Sequence, residues 1–120
     1  MLVLIAHGSH NPEWRASVER VVEAVQGTLH DPDAVRLAFM DCTPPTLMDV
    51  TAEAVQTGAS RLRVLPLFLA NEGHVDRDVR PLVDQVRQAY PHLDVGLLPA
   101  MGQHPAFVKL LYEIAATPPD

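Results

Sequence analysis

Four histidines and two carboxylates follow the apolar runs of this chain, and their types define the chemistry open to it. His7 and His10 close MLVLIAHGSH, Asp41 closes VRLAFMD, Glu72 and His74 follow LRVLPLFLA, and His104 follows LDVGLL. Neutral imidazole is the commonest protein ligand for divalent transition metals, and it accepts a proton near neutral pH. Two histidines and one carboxylate form a site with open coordination positions. Such a site can pass a metal on, whereas a closed four-ligand site holds it structurally. The chain has no HExxH, no CxxC pair and no EF-hand loop, so a standard structural metal site is not indicated. His30 and His92 fall outside these runs and read as ordinary loop residues.

Phosphate chemistry is the competing class. The turn AHGSHNP carries neither GxGxxG nor GxxxxGK[ST], so dinucleotide and P-loop binding have no support. A strand ending in His-Gly also resembles histidine phosphatases, which place an arginine directly before the histidine. Ala6 stands there in this chain, leaving a phosphohistidine without its electrostatic partner.

Short apolar runs alternate with longer helical patterns. LVLIA (2–6), VRLAFM (35–40), LRVLPLFLA (62–70) and LDVGLL (93–98) read as strands, the first buried on both faces. Between and after them lie four helical patterns: Val18, Val21, Val22, Val25 and Leu29; Leu47, Val50, Thr51, Ala54 and Val55; Val75, Val79, Leu82, Val83 and Val86; and Phe107, Leu110, Leu111 and Ile114. Asn11-Pro12 gives the first helix a capping side chain followed by proline. Thr46 with Asp49 resembles a capping box with Asp at the third position. His104-Pro105 suggests a cap for the last helix. Pro66 cannot donate a ladder hydrogen bond, so the third strand is expected to end or bulge near it.

The order βαβαβαβα predicts one α/β domain over residues 1–120, with a four-stranded parallel sheet between helices on both faces. In open parallel sheets, ligands bind beyond the carboxyl ends of the strands, at the point where the strand order reverses. A flavodoxin-like order 2-1-3-4 puts that point between strands one and three. His7 and His74, 67 positions apart, then face one another across it.

The totals exclude several classes. Nine basic residues stand against fifteen acidic ones, a formal net charge of −6, and no basic stripe is present, which argues against nucleic acid as a partner. No apolar run approaches the ~20 residues of a membrane span. The first residues lack the pattern of a signal peptide, and Cys42, the only cysteine, reads as a small core residue. A cytoplasmic location without membrane contact is the expectation.

AHGSHNP, AFMD with a following PP, PLFLANEGHVDRDVRP and the late GQHP together resemble the sirohydrochlorin chelatase family. The likeness is to its short single-domain form, the small cobaltochelatase of cobalamin biosynthesis within the class II chelatases. It spans residues 2 to about 112, and AHGS combined with PLFL-x₃-GHV-x₂-D is its specific part. The resemblance implies a chelatase-like fold and ATP-independent insertion of Co²⁺, Fe²⁺ or Ni²⁺ into sirohydrochlorin or a related tetrapyrrole, a lyase reaction. The metal is then substrate, and no organic cofactor is expected. His7 and His74 match the family's metal-binding and catalytic histidines, with Asp41 as a possible base. Ser9, His10, Leu67, Phe68, Leu69, Gly73 and His104 are implied around the tetrapyrrole, and Arg15, Arg77 and Arg80 are candidates for its peripheral carboxylates. The chain departs from the family pattern at His10, where many members carry arginine, and at Asp41, where Glu is common. A homodimer with facing strand ends is implied, because larger chelatases enclose substrate between two such domains. A non-catalytic tetrapyrrole- or metal-binding module on the same fold is the alternative.

Overall fold

The computed structural model describes residues 1–41, 43–70, 73 and 75–119. β1 (Leu2–Ala6) leads into α1 (Pro12–Leu29), β2 (Val35–Phe39), α2 (Leu47–Gln56) and β3 (Arg61–Pro66). A π-helical turn (Val75–Val79) then runs directly into α3 (Arg80–Ala89). β4 (Asp94–Leu97), a 3₁₀ turn (Met101–Gln103) and α4 (Pro105–Ala116) complete the chain.

The four strands form one parallel sheet in the order β2-β1-β3-β4, as the sequence predicts. β1 is central. Ile5 registers with Ala38 on one side and Pro66 on the other. β3 ends at Pro66, where the sequence places an end or a bulge, so the apolar run to residue 70 continues beyond the strand. The proline costs no ladder bond. In β3 the amides of Arg63 and Leu67 face β1, donating to the carbonyls of Met1 and Ile5. Pro66 therefore turns its nitrogen toward β4, beyond the last β3–β4 pair, Val64 with Leu97.

Alternation along the strands builds two cores. On one face Val3, Ile5, Leu62 and Val64 meet Leu47, Val50 and Ala54 of α2 and Val83 and Val86 of α3. On the other, Leu4, Ala6, Leu37 and Phe39 meet Val22, with Trp14 and Val18 of α1 packed against them. The Arg87 guanidinium donates twice to the Val95 carbonyl, at 3.1 and 2.7 Å, tying α3 to the edge strand.

Local signals settle the helix starts. Asn11 Oδ1 accepts the Glu13 amide, and Pro12 occupies the first turn, where a missing N–H costs nothing. Thr46 and Asp49 make a full capping box, each side chain accepting the other's backbone N–H. The third helix differs from the expected single run from Val75. Pro81 has no N–H for the carbonyl four residues back, so the α-helical ladder cannot pass through it. The chain takes a π turn before α3 instead.

The last helix departs from expectation in a second way. It forms, but no residue of α4 is buried. The second face of the sheet is covered by α1 alone over β1 and β2, and Leu65 and Leu67 of the β3 segment are only partly buried there.

Two substitutions separate core from cap. Ile5→Ala, at a fully buried site of the central strand, is expected to cost about 2–5 kcal/mol. Thr46→Ala should cost about 1 kcal/mol. Urea unfolding followed by circular dichroism measures both.

Candidate functional site

β1 delivers its polar turn at the carboxyl edge of the sheet, between β2 and β3. The Gly8 amide donates to Asp41 Oδ1 at 2.8 Å, so the turn after β1 is pinned to the loop after β2. The approach is close: a Cβ on Gly8 would lie 2.3 Å from that carboxylate oxygen and 2.5 Å from Thr43 Oγ1. A residue with a side chain would displace the Asp41 carboxylate and the Thr43 side chain from these positions. Ser9 Oγ accepts the Asn11 amide at 3.0 Å and shapes the step into α1. His7 and His10 are both exposed at this edge.

Across the switch point, the Phe68 ring tilts against the His7 imidazole with centroids 5.2 Å apart. Phe68 is held from two sides. The next-door Leu67 amide donates to Ile5 at 2.9 Å, and the Phe68 carbonyl accepts the Gly102 amide at 2.9 Å. Gly102 is required there, because a Cβ would fall 1.7 Å from the Leu69 carbonyl oxygen. Gly73 follows at φ +83°, a left-handed conformation that glycine adopts without strain.

An open cleft of about 510 Å³ lies at the end of β4, lined by Val75, Arg80, Leu97, Leu98, Pro99 and Gln103. A smaller apolar pocket of about 190 Å³ lies at the end of β2, between Met40, Leu47, Met48 and Leu82. The carboxyl edge therefore offers an aromatic wall, an exposed imidazole and hollows on both sides. Among the described residues, no three His, Cys, Asp or Glu side chains group as a metal site. His74 and Glu72 lie outside those residues, as does Cys42, so the expected His7–His74 pairing falls outside what the structure describes.

The CbiX family model matches residues 1–117. The chain belongs to the CbiX family. A sirohydrochlorin cobaltochelatase from Methanopyrus kandleri is 35% identical over 78 residues, covering 65% of this chain and 54% of that protein. The chain thus spans about half the length of the curated relatives it matches. In fold, it is similar to a CbiX protein from Marinobacter aquaeolei VT8, with a TM-score of 0.81 at 23% identity over 95% of this chain and 92% of that one. It is also similar to the sirohydrochlorin chelatase SirB from Bacillus subtilis subspecies spizizenii, solved in complex with cobalt. That match has a TM-score of 0.78 at 20% identity and covers 93% of this chain and 47% of SirB.

Within this CbiX fold the remaining candidates separate. Arg15 is already engaged: it pairs with Glu19 at 2.8 Å, donates to the Pro44 carbonyl and stacks over Phe39 at 5.0 Å. It braces the loop that carries Asp41. Arg77 meets Asp78, and Arg80 meets Asp76 at 2.9 Å while lining the β4 cleft. His104 Nδ1 accepts the Ala106 amide, so that nitrogen caps α4 as its sequence position suggests. The three wall residues face different ways: Leu67 packs toward the α1 core, Phe68 toward His7, and Leu69 is exposed. Sequence reasoning passed over Pro99 and Gln103 of the β4 cleft. Gln103 stands within the GQHP stretch that carries the resemblance, and Pro99 had only its position just beyond the last strand as a signal.

Gly102→Ala tests the close approach. It should cost on the order of 3 kcal/mol and alter the fluorescence of a probe attached near Leu69, whereas Gly27→Ala, where a Cβ meets nothing within 4 Å, should be neutral or stabilising.

Proposed function

We propose that this chain inserts a divalent cation, Co²⁺ with Fe²⁺ or Ni²⁺ as alternatives, into sirohydrochlorin or a closely related tetrapyrrole, without ATP. The supporting observation is His7: an exposed imidazole at the end of the central strand, at the switch point, beside the Phe68 ring. Membership of the CbiX family and the activities named for its relatives give the substrate class.

The reading assigns the steps as follows. The tetrapyrrole lies over the carboxyl edge with the Phe68 and Leu69 segment as an apolar support. His7, in its neutral form, offers a lone pair to the incoming cation from one side of the ring. His74, placed by its G-H-V motif, is the second ligand. Insertion forms four metal–nitrogen bonds, releases the imidazole ligands and expels two pyrrole protons, with no change of oxidation state. A histidine that has just given up the metal is the nearest base for these protons.

Asp41 takes a different part in this reading. Its Oδ1 already accepts the Gly8 amide, so it acts as a positioning residue that fixes the turn bearing His7. Peripheral carboxylates of the ring fit Arg80, which lines the β4 cleft while paired with Asp76, better than Arg15, which lines no cleft and is held by Glu19, Pro44 and Phe39. Ser9, His10, Gly73 and His104 complete the proposed substrate rim. A second copy, strand ends facing, supplies the opposite wall of a cleft that one domain leaves open. Among the described residues no helix is long and apolar enough to cross a membrane. Action in the cytoplasm, with neither membrane nor nucleic acid as a partner, belongs to the same reading.

The experiment is anaerobic mixing with sirohydrochlorin and Co²⁺, Fe²⁺ or Ni²⁺, followed by absorbance. An accelerated spectral change over the uncatalysed rate is expected with at least one metal. Binding without acceleration by any of the three supports the non-catalytic module and overturns the enzyme. His7→Ala should lower the rate at least about a hundredfold. Asp41→Asn keeps an acceptor for Gly8 and should retain most activity, while Asp41→Ala should not. Equal loss in both would make Asp41 a proton carrier rather than a positioning residue.

A further inference from the structure

α4 has little besides its own first turn to hold it. It spans 12 residues, and none of them is buried. Val108, Tyr112 and Ile114 remain 67%, 74% and 62% exposed, while Phe107 and Leu110 reach a small hollow with Leu65 and Met101. A helix of this length is marginal in water unless packing or capping supports it. Within α4, Lys109 and Glu113 form one loose i,i+4 pair at 4.0 Å, with the two charges in the weaker order. The first turn carries no acidic residue to meet the positive end of the helix.

That leaves the cap. His104 Nδ1 accepts the Ala106 amide at 3.0 Å, and Pro105 opens the helix. α1 starts on the same plan with Asn11 and Pro12, but its acceptor is an amide oxygen, which takes up no proton in the neutral range. α2 is capped by the Thr46 hydroxyl, and α3 has no side-chain cap. Among the described helices, α4 alone has an N-cap acceptor that titrates between about pH 8 and pH 5.

In a neutral imidazole a bare Nδ1 means that the proton sits on Nε2. A second proton goes on Nδ1. It removes the lone pair that holds the Ala106 amide, sets two N–H groups against each other and adds positive charge at the positive end of the helix. Each of these opposes the helix.

We propose that His104 is a pH-sensitive latch for α4: the neutral imidazole holds the first turn, and the imidazolium releases it. The cap therefore stabilises α4 above the range in which the imidazole takes up its proton, and that stability is lost as pH falls through it. No neighbour offsets the change. His104 shares its hollow with Leu65 of β3, Met101 of the 3₁₀ turn, and Ala106, Phe107 and Leu110 of α4, none of which titrates. The charged groups of α4 itself, Lys109 and Glu113, are paired with one another. The latch borders the candidate site in the chain: the His104 amide donates to Met101 at 3.1 Å, and Gly102 of the same turn donates to Phe68. It does not depend on the tetrapyrrole reading, and its test reads helix, not catalysis.

Backbone ¹³Cα shifts of the full chain, measured at about pH 8 and pH 5, report each helix residue by residue. The helical shifts of residues 106–109 should fall by about half between the two, while those of residues 47–50 in α2 stay as they are. At the upper pH the ring ¹⁵N shifts of His104 should be those of the Nε2–H tautomer. His104→Asn keeps an acceptor before Pro105 but does not titrate, so its α4 shifts should hold constant over the same range. His104→Ser supplies the same reading if His104→Asn perturbs the turn. Wild-type α4 shifts that do not change with pH, or an equal fall in the Asn and Ser variants, overturn the proposal.

Discussion

A parallel sheet must be covered on both faces, because its right-handed crossovers leave buried, apolar strands on each side. Everything in this protein follows from how that demand is met. On one side α2 and α3 seal the sheet, with Val3, Ile5, Leu62 and Val64 fully buried beneath them. On the other, α1 covers β2 and β1, and the cover thins over β3. The well-sealed side buries β1 beneath two helices, and β1 carries the turn that presents His7. The thin side leaves α1 and α4 with apolar surface still to bury.

The site is a product of loop-to-loop bracing more than of any single motif. Gly8 is bonded to Asp41, 33 residues away, and Arg15 reaches from α1 to the Pro44 carbonyl in the same loop. The absence of a side chain at Gly8 is therefore what lets the two loops meet this closely. Asp41 and Arg15, which the residue types alone would offer to a proton or to a substrate carboxylate, are committed to holding this geometry. Such commitments decide which polar residues stay available, and a residue's type does not show them.

Much of the fold was legible because its signals are local or periodic. The strand runs, the Asn11 and Thr46 caps and the stop at Pro66 depend on neighbours a few residues away, and the sheet order followed from the alternation of elements. The π turn was not legible as such: Pro81 announces a break, but the way the chain absorbs it depends on packing around Val75 and Val79. The exposure of α4 was hidden for the opposite reason. Leu110, Leu111 and Ile114 have the spacing of a core-facing helix, and periodicity reports that a face is apolar without saying what it meets. Of the site, the position of His7 was legible from topology. The Asp41–Gly8 bond was not, since nothing in the sequence pairs residues 33 apart across two loops.

The hydrogen bonds around Phe68 carry one further consequence. Leu67 is bonded to the central strand and Phe68 to Gly102, the middle residue of the turn that leads into α4. Gly102 lies so close to Leu69 that no side chain fits between the two backbones. The aromatic ring beside His7 and the root of α4 thus form one mechanical unit, with the long helix as the outer arm and the ring at its short end. The two are joined by backbone contacts alone, with no side chain in between.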